Sequence, residues 1–228
     1  MKRDALIDSA QSALGWLEEN KSQAILFVVV LCIVVAIGVG SILFYQHRQQ
    51  EASVAFGAAM DIYSAPVTQP GQAAEPGVRT YPSGKARATA ANAKFVQLAN
   101  QYGSTDAGKN ARYFAGLTYM EMGKTAEAEA TLKKTAEHSD KNLSALANLA
   151  LANLDRQNGR TGDAIKLLEK LASHPTTTVP AGEAKLQLAD IYKNTNPEHA
   201  KQIYAELKDK DAKTAAGQIA EQKLQQMK

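Results

Sequence analysis

Apolar and polar positions divide the chain into two regimes. From Ser22 to Gln46 no charged residue occurs, and Ala24–Tyr45 (AILFVVVLCIVVAIGVGSILFY) is apolar on every side. About 20 such residues at helical rise cross a bilayer core of roughly 30 Å, so this stretch predicts one transmembrane helix. It separates a tail, residues 1–23, from a domain, residues 46–228. Beyond the span no run alternates with period two. Apolar residues recur at helical spacing, and alanine, the best helix former, is abundant. The predicted fold class is all-α: a single N-terminal transmembrane helix followed by an α-solenoid of helix hairpins.

The solenoid is read from a repeat. Gly123, Ala128 and Leu132 recur as Gly159, Ala164 and Leu168, 36 residues later. Ala128 and Leu132 return again as Ala200 and Tyr204, and Ala91, Phe95 and Leu98 lie 37 residues before Ala128, Leu132 and Thr135. Each unit predicts a hairpin in which small residues sit where two helices cross and large ones fill the space between hairpins. In Ala111–Glu137 these are Ala115, Gly116 and Ala128 against Tyr119 and Leu132, with Gly123 at the turn. Ser144–Ala172 repeats the arrangement with Leu151, Ala152, Gly159, Ala164, Leu168 and Leu171. Gly182–Leu207 does so with Leu188, Ala189, Tyr192, Ala200, Tyr204 and Leu207, turning at Asn196-Pro197 with one residue fewer. No hairpin buries its apolar face alone, so the units must stack.

The remaining stretches frame this array. Leu6, Ile7, Ala10, Leu14 and Leu17 follow a helical rhythm in the tail, with Trp16 beside them. They fit either an amphipathic helix on the inner leaflet or a short helix leading into the span. Glu51–Ser64 reads as a helix with Phe56, Ala59 and Tyr63 on one face, the first half of a hairpin completed by Lys85–Tyr102. Between them, residues 65–84 (APVTQPGQAAEPGVRTYPSG) predict a flexible, exposed loop. Residues 211–227 predict a cap helix with Ile219 and Leu224 turned inward. Within the span, Cys32, Ala36 and Gly40 form a small-residue ridge able to seat another transmembrane helix.

Composition narrows the function classes. A net charge of +3, from 26 Lys+Arg against 23 Asp+Glu, is interleaved rather than gathered in a basic stripe, so nucleic acid is not an expected partner. The single cysteine, Cys32, lies inside the span and forms no intrachain disulfide. The long apolar run, followed by the bulky Phe44-Tyr45, does not suit a cleaved signal peptide, and Cys32 lacks the setting of an acylated cysteine. Lys2, Arg3 and Lys21 precede the span and only Arg48 follows it closely, which puts the N-terminus in the cytoplasm and the domain across the membrane.

No enzyme chemistry is legible. Gly123-Lys124-Thr125 resembles the end of a phosphate loop, but six residues separate Gly116 from Gly123 where the motif needs four. His47, His138, His174 and His199 show no metal-ligand spacing, no Gly-x-Ser-x-Gly occurs, and Asp209 and Asp211 alternate with lysines. The expectation is a non-enzymatic protein with no cofactor, no metal and no small-molecule substrate.

The repeat positions resemble the tetratricopeptide repeat: small at the crossing, aromatic in the first helix, glycine at the turn, then alanine and a large residue in the second. The family period is 34, so 36 and 37 imply longer loops, and Asp155 and Thr135 stand where an aromatic residue and alanine are usual. In that repeat the first helices line a concave face. The resemblance thereby implies a peptide groove made of Tyr113, Leu117 and Met120, then Leu149, Asn153 and Arg156, then Leu186, Asp190 and Lys193. Tyr113 and Leu149 occupy positions where the carboxylate-clamping members carry lysine, so that clamp is not expected.

The layout as a whole, with a short charged tail, one span, FYQHRQQ after it and about four repeats, resembles the YfgM family of ancillary SecYEG translocon subunits. That resemblance implies a bacterial inner-membrane protein with a periplasmic repeat domain. It also implies chaperone-like help to exported proteins, with the Sec translocon, envelope chaperones or unfolded clients as partners. The alternatives are a scaffold subunit of another envelope complex and a regulator of cell-wall synthesis or division.

Overall fold

The computed structural model describes residues 21–68 and 77–227, so the helix predicted in the tail and the middle of the proline- and glycine-rich stretch lie outside the described residues. Nine helices make up the regular structure among the described residues: α1 (Lys21–Tyr63), α2 (Gly84–Gln101), α3 (Asp106–Glu121), α4 (Thr125–Ala136), α5 (Lys141–Gln157), α6 (Thr161–Ser173), α7 (Ala181–Thr195), α8 (Pro197–Lys210) and α9 (Ala215–Gln226). Two compact units emerge, residues 1–50 and residues 51–228.

In the first unit, the Ala24–Tyr45 stretch of α1 is apolar on every face, and among the described residues nothing covers its large side chains. Phe27 is 78% exposed and Phe44 64%. A helix apolar all round belongs in a lipid or protein interior, and this one is long and apolar enough to cross a membrane. The serine within the apolar stretch is satisfied internally, Ser41 Oγ donating to the carbonyl of Ile37 at 2.7 Å. Instead of a span followed by a separate helix over 51–64, a single helix runs from Lys21 to Tyr63. The reason is local: neither glycine nor proline interrupts Ser41–Phe56, and its glutamines and alanines propagate a helix well.

The second unit is the solenoid. From α2 to α9 each helix packs chiefly on its neighbours in the chain, with added contact between α3 and α5 and between α7 and α9. The turns are built as the repeat predicted. Gly123 and Gly159 close α3 and α5 with the same positive φ of 76°, which favours glycine at helix ends. In the third hairpin Asn196 ends α7 and also starts α8, its side chain accepting from His199 N–H with Pro197 in the first turn. One residue then does the work of two.

The crossings are equally tight. Ala128, Ala164 and Ala200 are fully buried, as are Leu132 and Tyr204. Phe56 and Tyr63 pack on Phe95, ring centroids 5.9 and 6.0 Å apart, which pairs the end of α1 with α2. Phe114 of α3, which the repeat pattern did not single out, stacks on Phe95 at 5.3 Å and completes this cluster. The buried Asn92 amide donates to the Ala115 carbonyl at 3.1 Å and to Thr118 Oγ1 at 2.9 Å, keying α2 to α3. The ends of the proline- and glycine-rich stretch are tied down: Thr68 N–H donates to the Tyr81 carbonyl at 2.9 Å and Tyr81 N–H to the Pro66 carbonyl at 3.1 Å. Gly84 already belongs to α2, capped by Ser83.

The cap differs by one register step. Ile219 is exposed, and α9 instead turns Ala216, Gly217, Ala220 and Leu224 towards Tyr204 and Leu207. Small residues win there because the approach is close: a Cβ on Gly182 of α7 would come within 2.8 Å of the Ala216 methyl.

A second glycine device went unread in the sequence. Thr105 caps α3 by accepting from Gly108 N–H, and Thr214 caps α9 by accepting from Gly217 N–H. In both, a Cβ on the glycine would overlap the carbonyl of the residue ending the preceding helix, Tyr102 or Asp211. Backbone cannot move aside as a side chain can. Gly108→Ala is therefore expected to cost about 1–3 kcal/mol, the range for overpacking. That loss corresponds to a melting temperature lowered by roughly 2–4 °C per kcal/mol at this size, read by circular dichroism on the full chain in detergent. An unchanged melting point would contradict the contact.

Candidate functional site

The helices α3, α5 and α7 each carry one triplet of the implied groove at spacings of four and three, so each triplet lies along one helix face. On α3, Tyr113, Leu117 and Met120 are half-buried and rest against Leu132, Ala150 and Leu151. The Tyr113 ring meets Phe114 edge-on at 5.4 Å, and burial pushes its hydroxyl pKa up. On α5, Leu149 is half-buried against a core cluster shared by α5, α6 and α7, Asn153 is half-buried and Arg156 is exposed. On α7, Asp190 and Lys193 are exposed. Leu186 stands apart: it is 8% exposed, within the cluster of Ala189, Tyr204 and Leu207, and so serves packing rather than a surface.

Three of these residues share a cavity. Asn153, Arg156 and Asp190, with Gln187, line about 250 Å³ between α5 and α7, walled by Ala152, Leu168 and Ile191. Tyr113, Leu117, Met120, Leu149 and Lys193 do not border it. Asp190 is fixed at its edge: Tyr204 Oη donates to Oδ1 at 2.6 Å and Lys223 Nζ at 3.1 Å. Partial burial would raise the Asp190 carboxyl, but these two hydrogen bonds outweigh it and hold the pKa below the ordinary carboxylate value. Burial, then the bond to Asp190, pushes the Tyr204 hydroxyl up. Two amides, a guanidinium and an ionised carboxylate suit hydrogen bonding to a peptide backbone and to a charged side chain. They form no nucleophile–base pair, and no three His, Cys, Asp or Glu among the described residues are grouped to hold a metal.

A larger feature lies on the other side of the first helices. α4 and α6 both pack on α5, and between them runs a trough of about 1030 Å³. Its floor is Ser144, Ala145, Asn148 and Leu151, and its walls include Ala136, Leu167 and Leu171. One end is closed by charge. Arg160 binds Asp155 through Nε at 2.7 Å and Glu129 through Nη2 at 2.8 Å, and Lys133 meets Glu129 at 2.7 Å. The bond from Lys133, with Arg160 beside it, holds the Glu129 carboxyl below its usual range. Asp155, which departs from the aromatic usual at its position, is thus a buried partner of Arg160. Thr135, the other departure, is buried and donates to the Thr131 carbonyl at 2.9 Å. The signal that could have revealed the trough is size: Ala136, Ser144 and Ala145 are too small to fill the gap between α4 and α6.

In the first unit Cys32, Ala36 and Gly40 all lie exposed on α1, and a Cβ at Gly40 would meet nothing within 4 Å. The ridge is open along that face.

Among known proteins, the family model for the tetratricopeptide repeat-like domain matches residues 15–228. No curated protein and no solved structure matches the chain.

The Asp190 network has a pH signature. Its folded pKa lies below the unfolded value of about 3.9, so its contribution to stability is present above that pH and is lost as the pH falls through the folded pKa. Asp190→Asn should therefore melt below the parent at neutral pH, and the difference should close as the pH drops below about 4. A gap that persists unchanged into acid would contradict the network.

Proposed function

We propose that this chain, which belongs to the tetratricopeptide repeat-like domain family, is a membrane-anchored module that binds segments of other proteins and catalyses no reaction. Its repeat hairpins present surface rather than reactive groups, as such stacked arrays generally do. The observation that carries this reading is the cleft of Asn153, Arg156, Gln187 and Asp190: polar groups converge over an apolar wall with no reactive pair among them. Half-buried Tyr113, Leu117 and Met120 on α3 and Leu149 on α5 add apolar seats on the corresponding helix faces, and exposed Lys193 lies one turn from Asp190 on α7.

The finer reading follows the layout of tail, span and repeats. Residues 24–45 cross the bacterial inner membrane once, the tail stays in the cytoplasm, and the repeat domain works in the periplasm beside the Sec translocon. There it holds exported envelope proteins in a chaperone-like way. The charge bias of Lys2, Arg3 and Lys21 over Arg48 supports that orientation. The open ridge of Cys32, Ala36 and Gly40 supports a second role, seating the span against another membrane helix, and a scaffold would need only that.

Two experiments separate these. Protease added to spheroplasts is expected to digest residues 46–228 and leave a tag on the tail; a protected domain would overturn the location and the export role together. A photo-crosslinker placed beside the cleft should capture newly exported chains, and the double variant Asn153→Ala, Arg156→Ala should lose that capture by roughly tenfold, the scale of a residue worth more than 1 kcal/mol. Its melting point should stay unchanged, because Arg156 is exposed and Asn153 only half-buried. Retained capture would sink the client-binding role. Loss of co-purifying membrane proteins only on Ala36→Leu, Gly40→Leu would favour the scaffold.

A further inference from the structure

From the trough between α4 and α6 we infer a second binding surface, independent of the cleft between α5 and α7, which takes an amphipathic helix with an apolar ridge and carboxylates at one end. The shape comes first. The floor runs along α5 from Ser144 to Asp155, about 16 Å at 1.5 Å per residue, or three turns of a seated helix. Its apolar lining, Ala145 and Leu151 on the floor with Ala136, Leu167 and Leu171 on the walls, forms a channel between two helices, as in grooves that receive a helix by its i, i+3, i+4 and i+7 side chains.

Charge then sets the direction. At the closed end every ionic group is engaged: Arg160 with Asp155 and Glu129, and Lys133 with Glu129. That end offers nothing to a charged visitor. The open end is lined by Lys141, Lys170 and His174 against a single carboxylate, Glu137. Lys141 and Lys170 are exposed, and neither forms an ion pair with the described residues. Farther along the α6 wall Lys166 is held by Asp163 at 3.1 Å. The unmatched charge is therefore cationic and confined to one end. A visiting helix buries its ridge on the floor and places its carboxylates at Lys141 and Lys170, which fixes its polarity along the trough.

The probe is a fluorescein-labelled designed helix of four turns with an Ala/Leu ridge and three glutamates at its C-terminal end, titrated by anisotropy into the full chain in detergent. Two controls carry lysines in place of the glutamates, or a central proline. The glutamate helix is expected to bind, to weaken as salt is raised, and to lose roughly tenfold in affinity, about 1.4 kcal/mol, on Lys141→Glu, Lys170→Glu. The lysine helix should gain on the same reversal. Both positions are exposed, so the variant should keep its melting point, and Asn153→Ala, Arg156→Ala should bind the probe as the parent does. No binding of the glutamate helix, equal binding of the lysine or proline peptide, or indifference to the charge reversal would overturn the inference. Loss of binding in the Asn153, Arg156 variant would assign the probe to the cleft instead.

Discussion

Gly116 has no side chain, and a methyl there would lie 2.6 Å from Cδ2 of Leu132 and 2.7 Å from its Cγ. Since Leu132 is fully buried, the contact sets how closely α3 and α4 cross. Ala128 sits at the same crossing and Ala164 at the equivalent one, both without exposed surface. Close crossing is what the repeat domain depends on. It brings the large residues, Leu132, Leu168 and Tyr204, to the seam where one hairpin meets the next, and leaves them no other place to be buried. Stacking is then the only way to cover them, and the order of helices in space follows the order in the chain.

The ends of the array obey the same constraint by different means. At the C-terminal end α9 presents Ala216, Gly217 and Ala220 so that it can lie close over Tyr204 and Leu207. At the other end aromatic rings replace small residues: Phe56, Tyr63, Phe95 and Phe114 fill a wider space with edge and stacked contacts 5.3–6.0 Å apart. Tyr63 also donates to Glu121 at 2.8 Å, and burial first and that bond second push its pKa up to about 12. The same glutamate meets Arg87 at 3.5 Å, so residues of α1, α2 and α3 are joined by charge as well as by packing.

What the sequence made legible was the part that repeats. Glycine at 123 and 159, alanine at 128, 164 and 200, and a large residue four places later imply helix hairpins of one design, and the helices fall there. What repeats only once was harder. Phe114 carries no mark in the register, and the Thr105–Gly108 and Thr214–Gly217 caps are short polar motifs among many others. Ile219 fits a helical rhythm as well as Ala220 does; only the close approach of α7 at Gly182 decides between them. Leu186 and Leu117 look alike in the pattern, yet one is covered by the α8 and α9 side of the stack and the other is half-open. Burial at such positions depends on which hairpin lies opposite, and spacing within one helix does not contain that.

Departures from the repeat explain more of the surface than its agreements do. An aromatic residue at position 155 would fill space between hairpins; Asp155 leaves that space open and recruits Arg160, which reaches across to Glu129. Replacing a packed ring by a charged bridge closes one end of the trough without filling its length. Small residues at 136, 144 and 145 keep the floor low, and Ser144 uses its hydroxyl on the Ala136 carbonyl at 2.5 Å rather than projecting outward. A buried ionic group stays only where its partners are held in place, and here α4 supplies Glu129, α5 supplies Asp155 and the N-cap of α6 supplies Arg160. The same three helices that keep the bridge in place therefore keep the trough open, and any variant that restores an apolar residue at 155 would change both together.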